Sequence, residues 1–238
     1  MNPIICAVDT TDIQQAQLLI KQVQGSVGAI KLGLEFFIRN GTEGVKSVMP
    51  EGMPLFLDLK FHDIPNTVAG AMHALSGLNI FMTTIHVSGG EAMIRAAVKA
   101  AKMLPSTPKV VGVTVLTSLE ESDMKELLRR NENDDPQDVK LTIPEYVRNL
   151  ARTALIHELQ GIVCSPHEIQ VVREKCGKDF IIVTPGIRPA GSDVGDQKRV
   201  MTPKEALDAG ANYLVIGRPI TGAPDPKVAA EAIAASLQ

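Results

Sequence analysis

The sequence predicts a single domain over residues 1–238 with a (β/α)8 barrel fold. Strand and helix patterns alternate along the whole chain, and eight short apolar segments have the composition and length of strands. Strands that are separated by helices pair in parallel through right-handed crossovers. Eight such units in a chain of this length are typical of a closed TIM barrel, with a doubly wound open sheet as the structural alternative.

The individual elements follow from apolar runs and from helix-capping residues. The predicted strands cover residues 4–9, 29–32, 55–60, 80–87, 109–116, 161–164, 180–184 and 213–216. Helix starts are predicted at Thr11 with Gln14, Ser88 with Glu91, Thr142 with Glu145, Ser165 with Glu168, Thr202 with Glu205, and Asp225 before Pro226. Gly41 is expected to stop a short helix over residues 36–40, and Pro65 is expected to open a helix that extends to about residue 75.

Two polar segments interrupt this regular alternation. Residues 118–141, after the fifth strand, predict a short helix and an exposed loop, which we interpret as a surface insertion on the barrel. Residues 186–199 contain glycines and few apolar side chains, so they predict a mobile loop over the barrel mouth that acts as a lid. A connection without function is the alternative interpretation of this second segment.

Composition argues against several classes of partner and cofactor. A formal net charge of -3 and the absence of tryptophan argue against generic nucleic-acid binding. No apolar run approaches the ~20 residues that a membrane-spanning helix needs, and no signal peptide is visible. Cys6, Cys164 and Cys176 are expected to be reduced thiols in a cytoplasmic protein. No metal-ligand spacing, Walker A motif or GxGxxG motif occurs, so neither a metal nor a nucleotide cofactor is expected.

The densest group of charges lies where the third strand meets the next helix. Asp58 and Lys60 are two residues apart, so a regular strand directs both side chains to the same face. Asp63 follows within one turn, just before Pro65. A structural ion pair would account for Asp58 and Lys60 alone, whereas three charges at one strand-to-helix junction indicate a functional site.

Other polar residues lie at or shortly after the ends of predicted strands, and the carboxyl ends of all barrel strands meet at one mouth. These residues are Asp9, Lys31, His86, Thr117, Arg188 and Arg218. Gly217 and Arg218 after the eighth strand suggest a phosphate site, because glycine admits an anion close to the backbone and arginine offers a fork of donors. His86 is expected to belong to the rim of the core, and His62 only flanks the charged segment.

The segment from Asp58 to Thr67 resembles, without a gap, the signature of the orotidine 5'-phosphate decarboxylase family. The resemblance also includes Asp9, Lys31-Leu-Gly-Leu-Glu35, Leu116-Thr117-Ser118, Pro185-Gly186-Ile187-Arg188, Gln197 and Gly217-Arg218. It implies conversion of orotidine 5'-monophosphate to uridine 5'-monophosphate and carbon dioxide, in de novo pyrimidine synthesis. It further implies a homodimeric barrel without a metal or an organic cofactor.

The resemblance also implies a role for each matching residue. Lys60 is expected to stabilise a carbanion at ring carbon 6 and to donate the proton, beside Asp58, Asp63 and Lys31. Asp63 and Thr67 are expected to reach into the site of the neighbouring subunit. The remaining substrate contacts are Asp9 and Lys31 on the ribose, Thr117 beside the nucleotide, Arg188, Gln197, Gly217 and Arg218 on the phosphate, and Ile64 and Pro185.

Two other functions compete with this interpretation. The hexulose-phosphate synthase and keto-gulonate-phosphate decarboxylase group shares the barrel and the Asp-x-Lys-x-x-Asp pattern, but it uses magnesium and has a glutamate where this chain has Lys31. Activity that survives EDTA would separate the two readings. A non-catalytic sensor of a phosphorylated ligand is the second alternative, although a sensor has no need of a proton donor such as Lys60.

Overall fold

The computed structural model describes residues 2–129, 135–189 and 201–237. Its strands are β1 (Ile4–Ala7), β2 (Ala29–Gly33), β3 (Leu55–Phe61), β4 (Ile80–His86), β5 (Lys109–Val113), β6 (Gly161–Val163), β7 (Ile181–Thr184) and β8 (Tyr213–Ile216). They pair in parallel and in chain order, and β1 also pairs with β8, so the sheet closes into a barrel. This closure confirms the predicted (β/α)8 barrel and argues against the open sheet.

Helices connect the strands around the outside of this barrel. Those of the described ranges are α1 (Ile13–Val23), α2 (Leu34–Val48), α3 (Pro65–Ala74), α4 (Gly90–Met103), α5 (Glu121–Leu128), α6 (Ile143–Ile156), α7 (Ile169–Cys176), α8 (Pro203–Asp208), α9 (Arg218–Thr221) and α10 (Pro226–Ala235). Short 3-10 turns occupy Val87–Gly89, Pro136–Asp138 and Pro166–Glu168. None of these helices is long and apolar enough to cross a membrane.

Most predicted helix caps are present, and two are wrong. The capping boxes of Thr142 with Glu145, Ser165 with Glu168 and Thr202 with Glu205 are all formed, and Asp225 caps α10. The predicted cap at Thr11 is wrong, because Asp12 accepts a hydrogen bond from the N–H three residues later at 2.8 Å. A carboxylate is the stronger acceptor. The predicted cap at Ser88 is also wrong, because Ser88 lies in a 3-10 turn and α4 follows Gly89 without a side-chain cap.

Gly41 bends a helix instead of ending it. Helix α2 consists of two helical segments joined at Gly41, whose φ of 61° suits a residue without a side chain. Val45 and Val48 of the second segment are buried, so packing against the core continues the helix beyond the glycine. The predicted stop after residues 36–40 is therefore a kink.

The two segments that were predicted to be irregular are only partly described. Within residues 118–141, helix α5 buries Met124 and exposes Leu127, and residues 130–134 lie outside the described ranges. Of the predicted loop over residues 186–199, the structure describes residues 186–189. The surface insertion and the mobile lid both stay predictions.

The barrel has an inner and an outer core, and strand alternation separates them. Ile5, Phe56 and Met82 belong to the inner cluster, whereas Cys6 and Leu57 belong to the larger cluster that also contains helix residues. Both faces of the sheet are thus apolar, as expected of parallel strands. Side chains two residues apart on a strand point to the same face, so the residue two positions after an inner-core residue lies at the mouth of the barrel. The alternation that fills the core therefore also places the polar residues that follow it.

Candidate active site

A cavity of about 480 Å³ opens at the carboxyl ends of the strands. Its volume lies within the roughly 300–1,000 Å³ that is usual for small-molecule sites. The charged and polar lining consists of Asp9, Lys31, Asp58, Lys60, Thr117, Arg188 and Arg218. The apolar lining includes Phe56 from the inner core together with Val113, Val115 and Val163. The cavity can therefore receive a ligand that has both charged groups and a flat or apolar part.

Four of these charges form an alternating row. Lys31 Nζ lies 3.1 Å from Asp9 Oδ1 and 4.0 Å from Asp58 Oδ2. Lys60 Nζ lies 2.7 Å from Asp58 Oδ2. The side chains of Lys31 and Asp58 are only 11% and 13% exposed, so each of these buried charges needs an opposite charge close by. The row meets this need and still leaves the Lys60 side chain 32% exposed to the cavity.

Strand alternation brings the row together, but a local irregularity directs Lys60. Ala7 pairs with Lys31, and Gly33 pairs with Asp58, so these strand ends lie side by side. The register between β3 and β4 shifts before Phe61, and Lys60 has a φ of 50°. Asp58 and Lys60 share one cavity, as strand periodicity suggested. The direction of the Lys60 side chain nevertheless depends on the irregularity and not on a regular strand.

Sequence reasoning missed Thr84, which lies behind the charged row. Its hydroxyl donates to Asp58 Oδ1 at 2.8 Å and accepts from the Lys60 N–H at 2.8 Å. Thr84 is fully buried and lines no part of the cavity. The available signal was a pair of threonines, Thr83 and Thr84, inside an otherwise apolar strand beside the charged one.

The residues that follow β7 and β8 supply positive charge to the cavity. Arg188 is buried, and its Nη1 donates to the Ile187 carbonyl at 3.0 Å. Gly186 lies in the turn before Arg188 and has a φ of 77°, a conformation that suits glycine. Arg218 begins α9 directly after Gly217, and a Cβ added at Gly217 would meet only ordinary contacts. Two guanidinium groups and a small residue thus border the cavity, a combination that suits a phosphate.

His86 lies beside the charged row without lining the cavity. Its ring lies 5.1 Å from the ring of His62, with an interplanar angle of 31°. Burial lowers the pKa of His86, and the nearby His62 and Lys60 lower this pKa further, against a smaller opposite effect of Asp58. The half-buried position matches the predicted rim of the core. A lowered pKa means that His86 adds no second positive charge beside Lys60 at neutral pH.

Three predicted site residues do not line the cavity of their own chain. Asp63, Ile64 and Thr67 are exposed and are not among the residues that line it. The Asp63 carboxylate accepts a hydrogen bond from the Ile64 N–H at 2.7 Å, and Ile64 is 67% exposed. Pro185 does line the cavity, whereas Gln197 lies outside the described residues.

The cysteines and the potential metal ligands form no further functional centre among the described residues. Among the described residues, no group of three or more histidine, cysteine or carboxylate side chains could hold a metal ion. Cys6, Cys164 and Cys176 form no disulfide bond, and burial raises the pKa of Cys6 to about 12. Cys6 therefore remains a protonated thiol in the barrel wall, whereas Cys164 lines the cavity.

Comparisons with known proteins agree with this geometry. A family model described as the orotidine 5'-phosphate decarboxylase / HUMPS family matches residues 2–233. The orotidine 5'-phosphate decarboxylase of Paramagnetospirillum magneticum is 49% identical, over 100% of this chain and 99% of that protein. The enzyme of the same name from Moorella thermoacetica is 48% identical, over 100% and 92%. A crystal structure of orotidine 5'-phosphate decarboxylase from Lactobacillus acidophilus matches with a TM-score of 0.83 at 37% identity and covers 100% of both chains.

Proposed function

Because this chain belongs to the orotidine 5'-phosphate decarboxylase / HUMPS family, we propose that it converts orotidine 5'-monophosphate to uridine 5'-monophosphate and carbon dioxide. Membership confirms the resemblance that the segment from Asp58 to Thr67 indicated. The observation that carries the choice of reaction is the alternating row of Asp9, Lys31, Asp58 and Lys60 in one cavity. The product would serve pyrimidine nucleotide synthesis.

The reaction needs a positive charge and a proton at one ring carbon. Breaking the bond between carbon 6 and the carboxylate releases carbon dioxide and leaves the electron pair on carbon 6. No neighbouring carbonyl can absorb that pair as a simple enolate. A fixed ammonium close to carbon 6 stabilises the developing charge and then donates a proton to it. The resulting amine regains a proton from water, and the cycle balances.

Lys60 has the position for both tasks. Asp58 lies 2.7 Å from its ammonium and orients it while the side chain still reaches the cavity. In this arrangement the substrate carboxylate would lie near Asp58, where repulsion would favour its departure. Loss of carbon dioxide would relieve that repulsion and leave Lys60 next to the carbanion.

The rest of the cavity would hold the nucleotide by its charged and polar groups. Arg188 and Arg218 supply donors for the phosphate, and Gly217 allows it to approach the backbone. Asp9 and Lys31 would bind the ribose hydroxyls, and Thr117 would contact the nucleotide. We include Gln197 as a phosphate ligand carried by the loop over residues 186–199. Binding energy from the remote phosphate can lower the barrier at carbon 6 by excluding water from the site.

We further propose that the active unit is a dimer and that no metal takes part. Asp63 and Thr67 are exposed on their own chain, which supports their contribution to the site of a second subunit. Lys31 already neutralises Asp9 and Asp58 at 3.1 and 4.0 Å, so these carboxylates are poor ligands for a divalent cation. A magnesium-dependent enzyme of the same family would need a carboxylate at the position that Lys31 occupies.

One assay separates these possibilities. Orotidine 5'-monophosphate is added to protein that has been treated with EDTA, and the loss of the substrate absorbance and the release of carbon dioxide are followed. We expect turnover that EDTA does not reduce. Turnover that EDTA abolishes and magnesium restores would contradict the proposal that no metal takes part. Tight binding of the nucleotide without turnover would favour the non-catalytic sensor of a phosphorylated ligand.

A further inference from the structure

Thr84 holds the two reacting charges of the site through a single buried hydroxyl. The hydroxyl lies 2.8 Å from the Lys60 backbone nitrogen and 2.8 Å from Asp58 Oδ1. A backbone N–H can only donate, so the hydroxyl accepts this bond and directs its own proton to the carboxylate. Thr84 therefore fixes both residues with a defined direction of donation.

The contact to Asp58 completes the surroundings of that carboxylate. One oxygen, Oδ1, accepts from Thr84, and the other, Oδ2, faces Lys60 Nζ at 2.7 Å. Each oxygen thus has its own donor, and these donors come from different strands. Rotation of the carboxylate would break both bonds, so the hydroxyl of Thr84 keeps Oδ2 directed at the ammonium.

The contact to Lys60 supports an unusual backbone conformation. Leu57 pairs with Thr83 and Phe61 pairs with Ile85, so four steps along β3 face two steps along β4. Lys60 lies within this bulge with a φ of 50°, which residues with side chains rarely adopt. Its N–H donates to the hydroxyl of Thr84 on the neighbouring strand at 2.8 Å. The hydroxyl thus accepts a backbone hydrogen bond at the point where the strand departs from regular pairing.

We propose that Thr84 is a positioning residue, which keeps Lys60 and Asp58 in the geometry that decarboxylation requires. The proposal rests on the proposed function for its kinetic consequence. Thr84 is fully buried and lines no part of the cavity, so it acts through its two partners and not on the substrate. Its removal should slow the chemical step and leave substrate binding largely intact, because the ribose and phosphate contacts lie on other strands.

The test compares Thr84→Val, which removes the hydroxyl and keeps the shape, with Thr84→Ser, which keeps the hydroxyl. Displacement of a reacting group by about 1 Å can cost about 100-fold in rate. We expect kcat to fall about 10- to 100-fold in Thr84→Val with KM within about threefold, and Thr84→Ser to retain most of the wild-type kcat. If Thr84→Val does not fold, Thr84→Ala and Thr84→Ser provide the same comparison, because both lack the methyl group and only one lacks the hydroxyl.

Thr83→Val is the matched control. Thr83 is the neighbouring residue, is equally buried, and donates its hydroxyl proton to the Leu57 carbonyl at 2.8 Å and not to Asp58. We expect it to lose stability but to keep its kcat. Equal losses of kcat in Thr83→Val and Thr84→Val, or a wild-type kcat in folded Thr84→Val, would overturn the proposal.

A structural readout keeps this inference separate from the proposed function. If the wild-type protein does not decarboxylate the nucleotide, the proposed function fails, and the crystal structure of Thr84→Val decides on the positioning. Lys60 outside the left-handed region, or an Asp58 carboxylate turned away from Lys60, would support the role of the hydroxyl. An unchanged geometry of both residues would refute it.

Discussion

Lys60 is the residue on which the proposed chemistry depends most directly. We expect Lys60→Ala to keep its fold and to lose at least about 100-fold in kcat, because loss of a general acid usually costs a factor of about 100 to 10,000. Steady-state kinetics and circular dichroism measure the two properties. Lys102→Ala is the control, because Lys102 lies on the outer surface, 2.9 Å from Glu158. A Lys60→Ala protein that keeps more than about a hundredth of the wild-type rate would contradict the assignment.

Arg218 tests the phosphate end of the cavity. Arg218→Ala should lower kcat/KM for the nucleotide about 10- to 100-fold, since a charge-assisted hydrogen bond of about 1.5–3 kcal/mol is lost. Orotidine, which lacks the phosphate, should be affected far less. The comparison of the two substrates is the measurement, and Arg152→Ala on the exposed face of α6 is the control. The same loss for both substrates would mean that Arg218 supports the fold and not the ligand.

Among the elements, α7 carries a side chain, Arg173, that hydrogen-bonds to the segments before β7 and β8. Arg173 Nη1 donates to the carbonyls of Gly177 and Phe180 at 2.6 and 2.7 Å. Its Nη2 donates to the Gly210 carbonyl at 2.6 Å and to Asn212 Oδ1 at 2.9 Å. These acceptors lie at the end of α7, before β7 and before β8. The guanidinium therefore joins two connections, α7 to β7 and α8 to β8, at the end of the barrel remote from the site.

Arg173→Ala should therefore lower stability without altering the chemistry. We expect a loss of about 2–4 kcal/mol in the free energy of unfolding, because the two partly buried carbonyls of Phe180 and Gly210 lose a charged donor. Urea unfolding measures this loss, and kcat of the folded variant should stay near the wild-type value. Arg152→Ala is again the matched control, with an expected change within about 0.5 kcal/mol. An unfolding midpoint of Arg173→Ala equal to that of Arg152→Ala would show that the hydrogen bonds contribute no net stability.

The assembly of the whole molecule decides whether each site is complete. If Asp63 acts in the site of the partner, Lys60→Ala and Asp63→Ala are each inactive but complement each other in a mixed dimer. One site of that dimer carries both defects and the other carries neither. With random exchange of equal amounts, half of the dimers are mixed, so about a quarter of all sites should become active. Turnover after subunit exchange, with exchange verified by mass, is the measurement.

A second pair of variants provides the control for this experiment. Asp58 and Lys60 lie 2.7 Å apart in the cavity of one chain, so Asp58→Ala and Lys60→Ala should not complement each other. If the pair with Asp63→Ala also fails to regain activity, each subunit owns its whole site and the proposed role of Asp63 is wrong.

The sequence by itself determined the architecture and the membership of the charged site. Apolar runs with the period of strands, and caps such as those at Thr142 and Thr202, depend on neighbours within a few residues, and this local information is fully present in the chain. Because parallel strands end at one mouth, their order was enough to expect Asp9, Lys31 and Asp58 in one cavity.

Only the tertiary structure decided features that depend on pairing between distant segments. The kink at Gly41 follows from packing of the helix on the core, which overrides the local preference of glycine to end a helix. The left-handed conformation of Lys60 and the double role of Thr84 follow from the shifted register of β3 against β4. A register is a property of two strands 24 residues apart at this contact, and no local pattern within either strand specifies it.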